Sequence, residues 1–171
     1  MRTDRRAVML GLAGWGVSGL AGCAKPEVPG AIGVVNGFYV QYLLPDGKPP
    51  PLLSLPWTDK LRSLLEQVLS REIRTGETLL GFDPLVDGAT GQIQGLTVDL
   101  AGPALGDVAI VSATFLKDGA PRQVLFDMRT NGTKWLIENI RTDRWQFLTT
   151  VATALQRPYP TPDLWKPRPP G

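Results

Sequence analysis

Carboxylates and phenols are the most plausible side chains here for proton transfer, because the 171 residues include no histidine and a single cysteine. The absence of histidine excludes Ser-His-Asp and Cys-His nucleophile systems and His-based zinc sites. An Asp, Glu or Tyr in an apolar cavity could act as a general acid or base. The candidates are Tyr39, Tyr42, Asp83, Asp87, Asp99, Asp127 and Glu138. Their spacing matches no catalytic or metal motif, so we predict no catalytic residue, no metal and no cofactor.

The two aspartates of residues 82–88 stand before turn-forming residues. Asp83 precedes Pro84 and Asp87 precedes Gly88, so each carboxylate is expected to accept hydrogen bonds from nearby backbone N–H groups in a turn. Two carboxylates also supply too few oxygens for calcium, which takes six or more. A structural role is therefore the preferred interpretation of both residues.

The other candidates also have structural interpretations. Tyr39 and Tyr42 lie three residues apart on one helical stripe and are expected to fill core. Asp127 and Glu138 lie near Arg129 on one face of a predicted hairpin and are expected to form a surface charge cluster rather than an acid pair. The residues retained as a candidate ligand-binding or polar site are Tyr39, Asp83, Asp87, Asp127 and Arg129.

The only cysteine, Cys23, closes the tetrapeptide Leu20-Ala21-Gly22-Cys23, which resembles the lipobox of bacterial lipoproteins. Before it stand three arginines and an apolar segment, residues 7–20, that is too short for the roughly 20 residues of a membrane-spanning helix. The resemblance implies a signal peptide over residues 1–22, cut between Gly22 and Cys23, and a diacylglyceryl group on the Cys23 sulfur. The alternative is a free cytosolic cysteine after a chance apolar run.

The flanking residues bear on export and destination. Arg5-Arg6 before Ala7-Val8-Met9 resembles the twin-arginine signal, while Asp4 and the absence of the usual phenylalanine leave ordinary Sec export open. Ala24 stands where similar enterobacterial lipoproteins retained in the inner membrane have an Asp. We therefore expect a lipid-anchored protein of the cell envelope, on the periplasmic face of the outer membrane.

The charge of the remaining chain narrows its class. The first 22 residues hold three Arg and one Asp, so the other 149 carry 15 basic and 15 acidic residues of the 18 and 16 in the whole chain. A neutral chain without a basic run is not expected to bind nucleic acid, because phosphates select Lys and Arg. A single lipidated cysteine leaves no partner for a disulfide. This length supports one domain with an ordinary hydrophobic core.

Residue patterns divide the chain after Gly22 into three parts. We predict a lipidated tether over residues 23–30, a single domain over residues 31–156 and a proline-rich tail over residues 157–171. Within the domain, helical spacing of apolar residues predicts three helices. They are residues 32–44, a helix from a cap at Thr58 to Thr75-Gly76, and residues 143–156 with Thr142 or Asp143 as the cap.

Alternating periodicity predicts four strands, at residues 96–100, 107–116, 123–129 and 134–141. Asp118-Gly119 marks a turn, and Asn131-Gly132 is the strongest hairpin signal in the chain. A two-residue turn there would pair Arg129 with Lys134, Met128 with Trp135, Phe126 with Ile137 and Val124 with Asn139. The apolar face would carry Val124, Phe126, Met128, Trp135 and Ile137. The second face would carry Leu125, Asp127, Arg129, Leu136, Glu138 and Ile140.

This order of elements, ending in Trp135-Leu136-Ile137-Glu138-Asn139-Ile140, resembles the nuclear-transport-factor-2-like cone that ketosteroid isomerase shares. Phe38-Tyr39 with Tyr42, and Phe82-Asp83-Pro84-Leu85 with Asp87, resemble a bacterial family of envelope proteins built on that fold. The match spans residues 32–155. It implies an α+β domain in which a curved antiparallel sheet packs against N-terminal helices, with a further short C-terminal helix. It also implies a pocket at the open end, where enzymes of this fold often use an Asp as general base.

The lipid tether and the lack of a catalytic motif predict a non-enzymatic envelope lipoprotein whose cone binds a small apolar ligand or a protein partner. Two alternatives stay open. One is a structural or interaction module of an envelope assembly, in which open sheet faces could pair in a dimer. The other is a weak isomerase- or hydratase-like enzyme with one Asp as base. A deep apolar cavity with one buried carboxylate would favour the enzyme, and a filled cone the interaction module.

Overall fold

The structure has three α-helices and four strands, close to the positions predicted from the helical and alternating spacing of apolar residues. The computed structural model describes residues 28–45 and 48–157 and shows an α+β fold. The helices are α1 (Val28–Tyr39), α2 (Asp59–Thr75) and α3 (Phe147–Gln156). The strands are β1 (Gln94–Leu100), β2 (Val108–Lys117), β3 (Ala120–Thr130) and β4 (Trp135–Arg141), in one antiparallel sheet of order β1-β2-β3-β4.

Several predictions concern residues that lie outside the part of the chain that the structure describes. The signal peptide, the cleavage site at Gly22, the lipidated Cys23 and the proline-rich tail after Arg157 belong to residues 1–27 and 158–171. Within residues 28–45 and 48–157, no helix is long and apolar enough to cross a membrane.

Helix α1 packs against the sheet along one stripe of its surface. It begins at Val28, inside the range predicted as a tether, and a 3-10 turn (Val40–Leu43) continues it. A Cβ on Gly30 would lie 3.3 Å from the Trp135 ring, so glycine lets the start of α1 approach β4 closely. The fully buried residues of this stripe are Ala31, Val35, Tyr39 and Tyr42.

Helix α2 begins and ends where the sequence predicts. Thr58 occupies the N-cap position with extended backbone, although its side chain makes no capping hydrogen bond. Gly76 ends the helix in the left-handed region, with φ of 70°, and its N–H donates to the Glu72 carbonyl at 2.8 Å. A glycine is favoured here because it adopts positive φ without a Cβ clash.

The tight two-residue hairpin of the sheet lies at Asp118-Gly119, not at Asn131-Gly132. Asp118 and Gly119 have φ of 51° and 74°, and Lys117 pairs with Ala120, which is the geometry of the two-residue turn that suits strand twist. The predicted two-residue turn at Asn131-Gly132 is wrong. There, residues 131–134 form a four-residue loop in which the Asn131 side chain accepts the Lys134 N–H at 3.3 Å.

The longer loop changes the register of the last hairpin. Met128 pairs with Ile137 rather than with Trp135, and Trp135 pairs with Thr130. Between the loop and Met128 the shift moves each partner by two positions, so it preserves the side-chain alternation there. The five residues predicted for the apolar face are all buried, as expected; they are Val124, Phe126, Met128, Trp135 and Ile137.

An irregularity at Glu138 overturns one further assignment. Pairing continues from Met128 with Ile137 to Asp127 with Asn139, so Glu138 is an extra residue in β4. A bulge of this kind reverses the alternation beyond it. Ile140, predicted for the outer face, is therefore fully buried in the core opposite Phe126.

Strand β4 does not end the sheet with an open edge. The Ile137 N–H donates to the Pro56 carbonyl at 2.7 Å, and the Ile137 carbonyl accepts the Thr58 N–H at 3.0 Å. Trp57 forms a parallel bridge with Ile137 between these bonds. The segment before α2 thus satisfies backbone groups that an edge strand would otherwise expose.

Helix α3 begins later than predicted. Its N-cap is Gln146, and neither Thr142 nor Asp143 caps it. The Thr142 N–H donates to the Trp145 carbonyl at 3.0 Å, and Arg141 forms a bridge with Gln146. These contacts close a turn over residues 142–145, so the helix cannot start until the chain has left it.

Candidate functional site

An open apolar groove lies between the proline-rich segment before α2 and the loop that follows it. Its volume is about 530 Å³. One wall is Pro49, Pro50, Pro51 and Leu52. The other side is formed by Thr78, Leu80, Gly81, Phe82, Asp83, Pro84, Leu85, Ala89 and Thr90. Asp83 is the candidate residue of the sequence that reaches this groove.

The Asp83 carboxylate holds the loop together through three hydrogen bonds. One oxygen accepts the Leu85 N–H at 3.0 Å, and the other accepts the Tyr42 hydroxyl at 2.6 Å and the Thr90 hydroxyl at 3.2 Å. The Asp83 backbone also exchanges hydrogen bonds with Gly88. The predicted turn role is confirmed, and the tyrosine partner adds a contact across 41 residues of sequence.

The two tyrosines of the α1 stripe anchor the same loop from inside the core. The buried Tyr39 hydroxyl donates to the Leu85 carbonyl at 2.7 Å. Burial, and then the nearby charge of Asp83, raise the pKa of Tyr39. Burial first, and then the hydrogen bond to Asp83, raise the pKa of Tyr42. Both phenols therefore remain neutral donors near neutral pH, and neither is placed to act as an ionised base.

Asp87 serves the loop from its other end. It adopts a left-handed backbone with φ of 52°. Its carboxylate accepts the Trp145 indole N–H at 2.6 Å and forms an ion pair with Arg144. The prediction that this carboxylate binds nearby backbone N–H groups is therefore wrong, because its partners are side chains that tie the loop to the turn before α3. Phe82 lies on the same side, with its ring 5.0 Å from that of Trp145 in an edge-to-face contact.

Two residues that the sequence did not single out position the walls of the groove. A carboxylate oxygen of Glu72, in α2, accepts the N–H groups of Leu79 and Leu80 at 2.6 and 2.9 Å. The Trp57 indole N–H donates to the Leu52 carbonyl at 2.6 Å and holds the proline-rich wall. A Glu near the end of a predicted helix carries no sequence signal for such a role.

Asp127 and Arg129 do not join this site. Both lie on the outer face of the sheet, because their neighbours Phe126 and Met128 point into the core. Arg129 bridges Glu138 at 3.2 Å and Asp107 at 3.0 Å. Asp127 pairs with Arg141 at 3.1 Å. Of the candidate set, Tyr39, Asp83 and Asp87 are therefore brought together by one loop, whereas Asp127 and Arg129 belong to separate ion pairs on the sheet. Of the predicted cluster of Asp127 and Glu138 around Arg129, only Glu138 contacts the arginine, because Asp127 pairs with Arg141.

The space between α1 and the sheet is filled by aromatic rings. The Tyr39 ring centroid lies 5.6 Å from that of Phe115 and 6.1 Å from that of Phe126. All three side chains are buried. Interior space between helix and sheet is thus used for packing, and the groove lies outside it.

In residues 28–45 and 48–157, no group of three or more His, Cys, Asp or Glu side chains could hold a metal ion. What the arrangement offers chemically is an apolar surface bordered by a hydrogen-bonded carboxylate and two threonines.

Comparison of the chain with protein-family models, with curated proteins and with solved structures finds no match.

Proposed function

We propose that this protein is a lipid-anchored, non-enzymatic binding protein of the cell envelope, and that its binding site is the groove between residues 49–52 and residues 78–90. The observation that carries the proposal is the contrast between a filled interior and an open apolar groove of about 530 Å³. Ligand pockets in proteins have volumes of about 300–1,000 Å³ and mostly apolar walls.

The lining of the groove favours a small apolar ligand. Its prolines, leucines and Phe82 present hydrocarbon and ring surface, and the polar groups at its border are one carboxylate and two threonines. An acyl chain or a comparably slender apolar molecule fits this chemistry. A charged ligand would need a counter-charge, and the Asp83 carboxylate is already occupied by three donors.

The contacts of Asp83 also support a non-enzymatic role over the Asp-dependent enzyme. A general base needs a free lone pair directed at the substrate, whereas three of the roughly four lone-pair sites of Asp83 accept hydrogen bonds from Leu85, Tyr42 and Thr90. Asp87 is similarly committed to Trp145 and Arg144. The α+β order of helices and a four-stranded meander supports the nuclear-transport-factor-2-like cone as the fold on which this groove is built.

The groove is tested with a neutral apolar dye, N-phenyl-1-naphthylamine, whose fluorescence rises in an apolar site. We expect saturable binding that Ala89→Glu abolishes, since Ala89 is exposed in the groove lining and a carboxylate there would be driven out of apolar contact. Thr114→Glu, on the exposed outer face of β2, is the matched control and should bind normally. Equal binding by both variants would place the dye elsewhere and reject the groove.

The anchor is tested separately. We expect Cys23→Ala to remove the protein from membranes in a carbonate wash, while the unaltered chain stays in the membrane fraction. A Cys23→Ala protein that still sediments with membranes would show that another feature holds it there.

The filled interior also favours a second candidate, an interaction module that binds a protein partner of the envelope. This second candidate function differs from the first in what the protein binds, and the proposed lipid anchor is the same in both. If the dye fails to bind while a partner is captured from native membranes by the unaltered chain and not by Ala89→Glu, the groove is a protein-binding surface.

A further inference from the structure

Helix α1 and the 3-10 turn after it carry no charged residue, and they expose aliphatic side chains beside the polar Asn36 and Gln41. From Val28 to Pro45 the chain has no Asp, Glu, Lys or Arg, although such residues make up 20% of the whole sequence. Val40, Leu43 and Leu44 are 56%, 44% and 55% exposed. Large aliphatic side chains exposed this close together are a feature that soluble surfaces usually limit.

These side chains follow an uncovered side of α1. Gly33 and Gly37 lie four residues apart on that side, and Val40 and Leu43 lie three apart in the 3-10 turn that continues the helix. Leu44 follows the turn with extended backbone. A Cβ at Gly33 or Gly37 would meet nothing within 4 Å, so no described part of the protein covers those two positions. The opposite stripe, with Val35 and Tyr39, is the one packed on the sheet. We call Gly33, Gly37, Val40, Leu43 and Leu44 together the α1 outer face.

We propose that the α1 outer face rests on the lipid bilayer to which the chain is anchored. This inference rests on the proposed anchor at Cys23. Four residues separate Cys23 from Val28, and five extended residue steps span at most about 18 Å. An acylated Cys23 therefore keeps the start of α1 within that distance of the membrane.

The absence of charge on this face fits a bilayer surface better than a second soluble domain. The mature chain is neutral and has no basic run, so electrostatic attraction to anionic lipid cannot orient it. Apolar side chains can do so by entering the interface between headgroups and acyl chains. The contact can be weak, because the anchor makes it intramolecular and raises its effective concentration.

This orientation would place the groove beside the membrane. Tyr42 lies in the 3-10 turn between Val40 and Leu43, and its hydroxyl reaches Asp83 in the groove lining. Pro49, which begins the other wall of the groove, follows Leu44 by only five positions in the sequence. An apolar ligand could then pass from the bilayer to the groove with little exposure to water.

The test is amide hydrogen exchange of the acylated full chain in phosphatidylcholine vesicles, compared with the Cys23→Ala protein in solution. We expect exchange in residues 40–45 to slow by about tenfold, the factor that corresponds to roughly 1.4 kcal/mol, and exchange in residues 72–76 to stay unchanged. Val40→Asp with Leu44→Asp should remove the protection while the protein still floats with the vesicles. Ile73→Asp, at an 85% exposed site on α2, is the matched control and should keep it.

Other outcomes are decisive as well. Flotation with unprotected residues 40–45 would overturn the membrane contact and leave the anchor intact. If the isolated chain is not acylated, the proposal of a lipid anchor at Cys23 is wrong. Coupling the Cys23 thiol to a maleimide lipid then tests the membrane contact of the α1 outer face by itself. Equal protection in the soluble Cys23→Ala protein would show that a second copy covers the face and would overturn the proposal.

Discussion

Two pairs of carboxylates, one in the loop after α2 and one on the outer face of the sheet, contribute differently to the structure. Asp83 and Asp87 lie in one loop and bind side chains 41 and 58 residues away in sequence. Asp127 and Glu138 lie on the outer face of the sheet, and each pairs with an arginine of the adjacent strand. The first group joins the loop to the 3-10 turn after α1 and to the turn before α3, and the second lies on a sheet that its backbone hydrogen bonds already hold. The contribution of each carboxylate to stability is decided by how deeply it is buried and by which segments it joins, and not by its residue type.

The largest expected effect is that of Asp83→Ala. The change removes the acceptor of the Leu85 N–H and of the Tyr42 hydroxyl, and leaves donors in the protein interior without a partner. We expect a loss of about 3 kcal/mol in the free energy of unfolding, measured by urea denaturation. Thr90→Ala, which removes one exposed hydrogen bond to the same carboxylate, is the control. A loss no larger than that of the control would mean that Asp83 does not organise the loop.

Tyr42→Phe removes one of those bonds and sharpens the comparison. A hydrogen bond to a charged group contributes about 2 kcal/mol, so we expect a loss of this order. A double-mutant cycle with Asp83→Ala should show the two losses to be strongly non-additive, because they share one interaction. Additive losses would mean that the Tyr42 hydroxyl does not act through Asp83.

The raised pKa values of Tyr39 and Tyr42 predict a pH dependence. A tyrosine whose pKa is higher in the folded than in the unfolded protein contributes stability below its ordinary value of about 10 and loses it as the pH rises further. We therefore expect the melting temperature to fall above about pH 10, less steeply in Tyr42→Phe. Absorbance at 295 nm should show that two of the three tyrosines ionise only on unfolding. Ionisation of all three in the folded protein would contradict the burial of their hydroxyls.

A smaller effect is expected for Trp145→Phe. The ring contact with Phe82 can persist, while Asp87 loses the indole N–H and keeps Arg144. We expect a loss of about 1 kcal/mol in the free energy of unfolding, measured by denaturation. A loss as large as that of Asp83→Ala would give the two ends of the loop equal importance.

The smallest effect is that of Arg129→Ala on the outer face. Both of its ion pairs are exposed and screened by solvent, and such pairs contribute little. We expect no measurable change in melting temperature at moderate salt. A clear destabilisation would remove the distinction between the two groups of carboxylates.

The sequence predicted the elements better than the contacts between them. The periodic spacing of apolar residues predicted where the helices and strands lie, and it also predicted which residues of the last hairpin are buried. It failed at Glu138, because a bulge is set by the pairing of two strands and leaves no periodic trace. It also favoured Asn131-Gly132 over Asp118-Gly119 as the tight turn. Both dipeptides suit that geometry, so only the lengths of the paired strands decide which of them forms the two-residue turn.

The loop shows the same limit for the candidate site. Asp83 before a proline predicted a turn, and the turn is there. The Tyr42 hydroxyl and the Trp145 indole could not be assigned from spacing, since each contact joins residues that are distant in sequence. The Glu72 contacts are only seven and eight residues long, but they depend on how the chain turns back after α2 ends. The groove itself is a property of how two segments face each other, and composition alone indicates only that both are apolar.

The close approach of Gly30 to Trp135 has a mechanical consequence. A tension applied through the N-terminal end of the chain enters the fold at α1, which packs on the sheet through side chains rather than through strand pairing. Such a pull would peel the helix away from its first contact, one turn at a time, and would not shear the paired strands. Under load, α1 would yield before the sheet does.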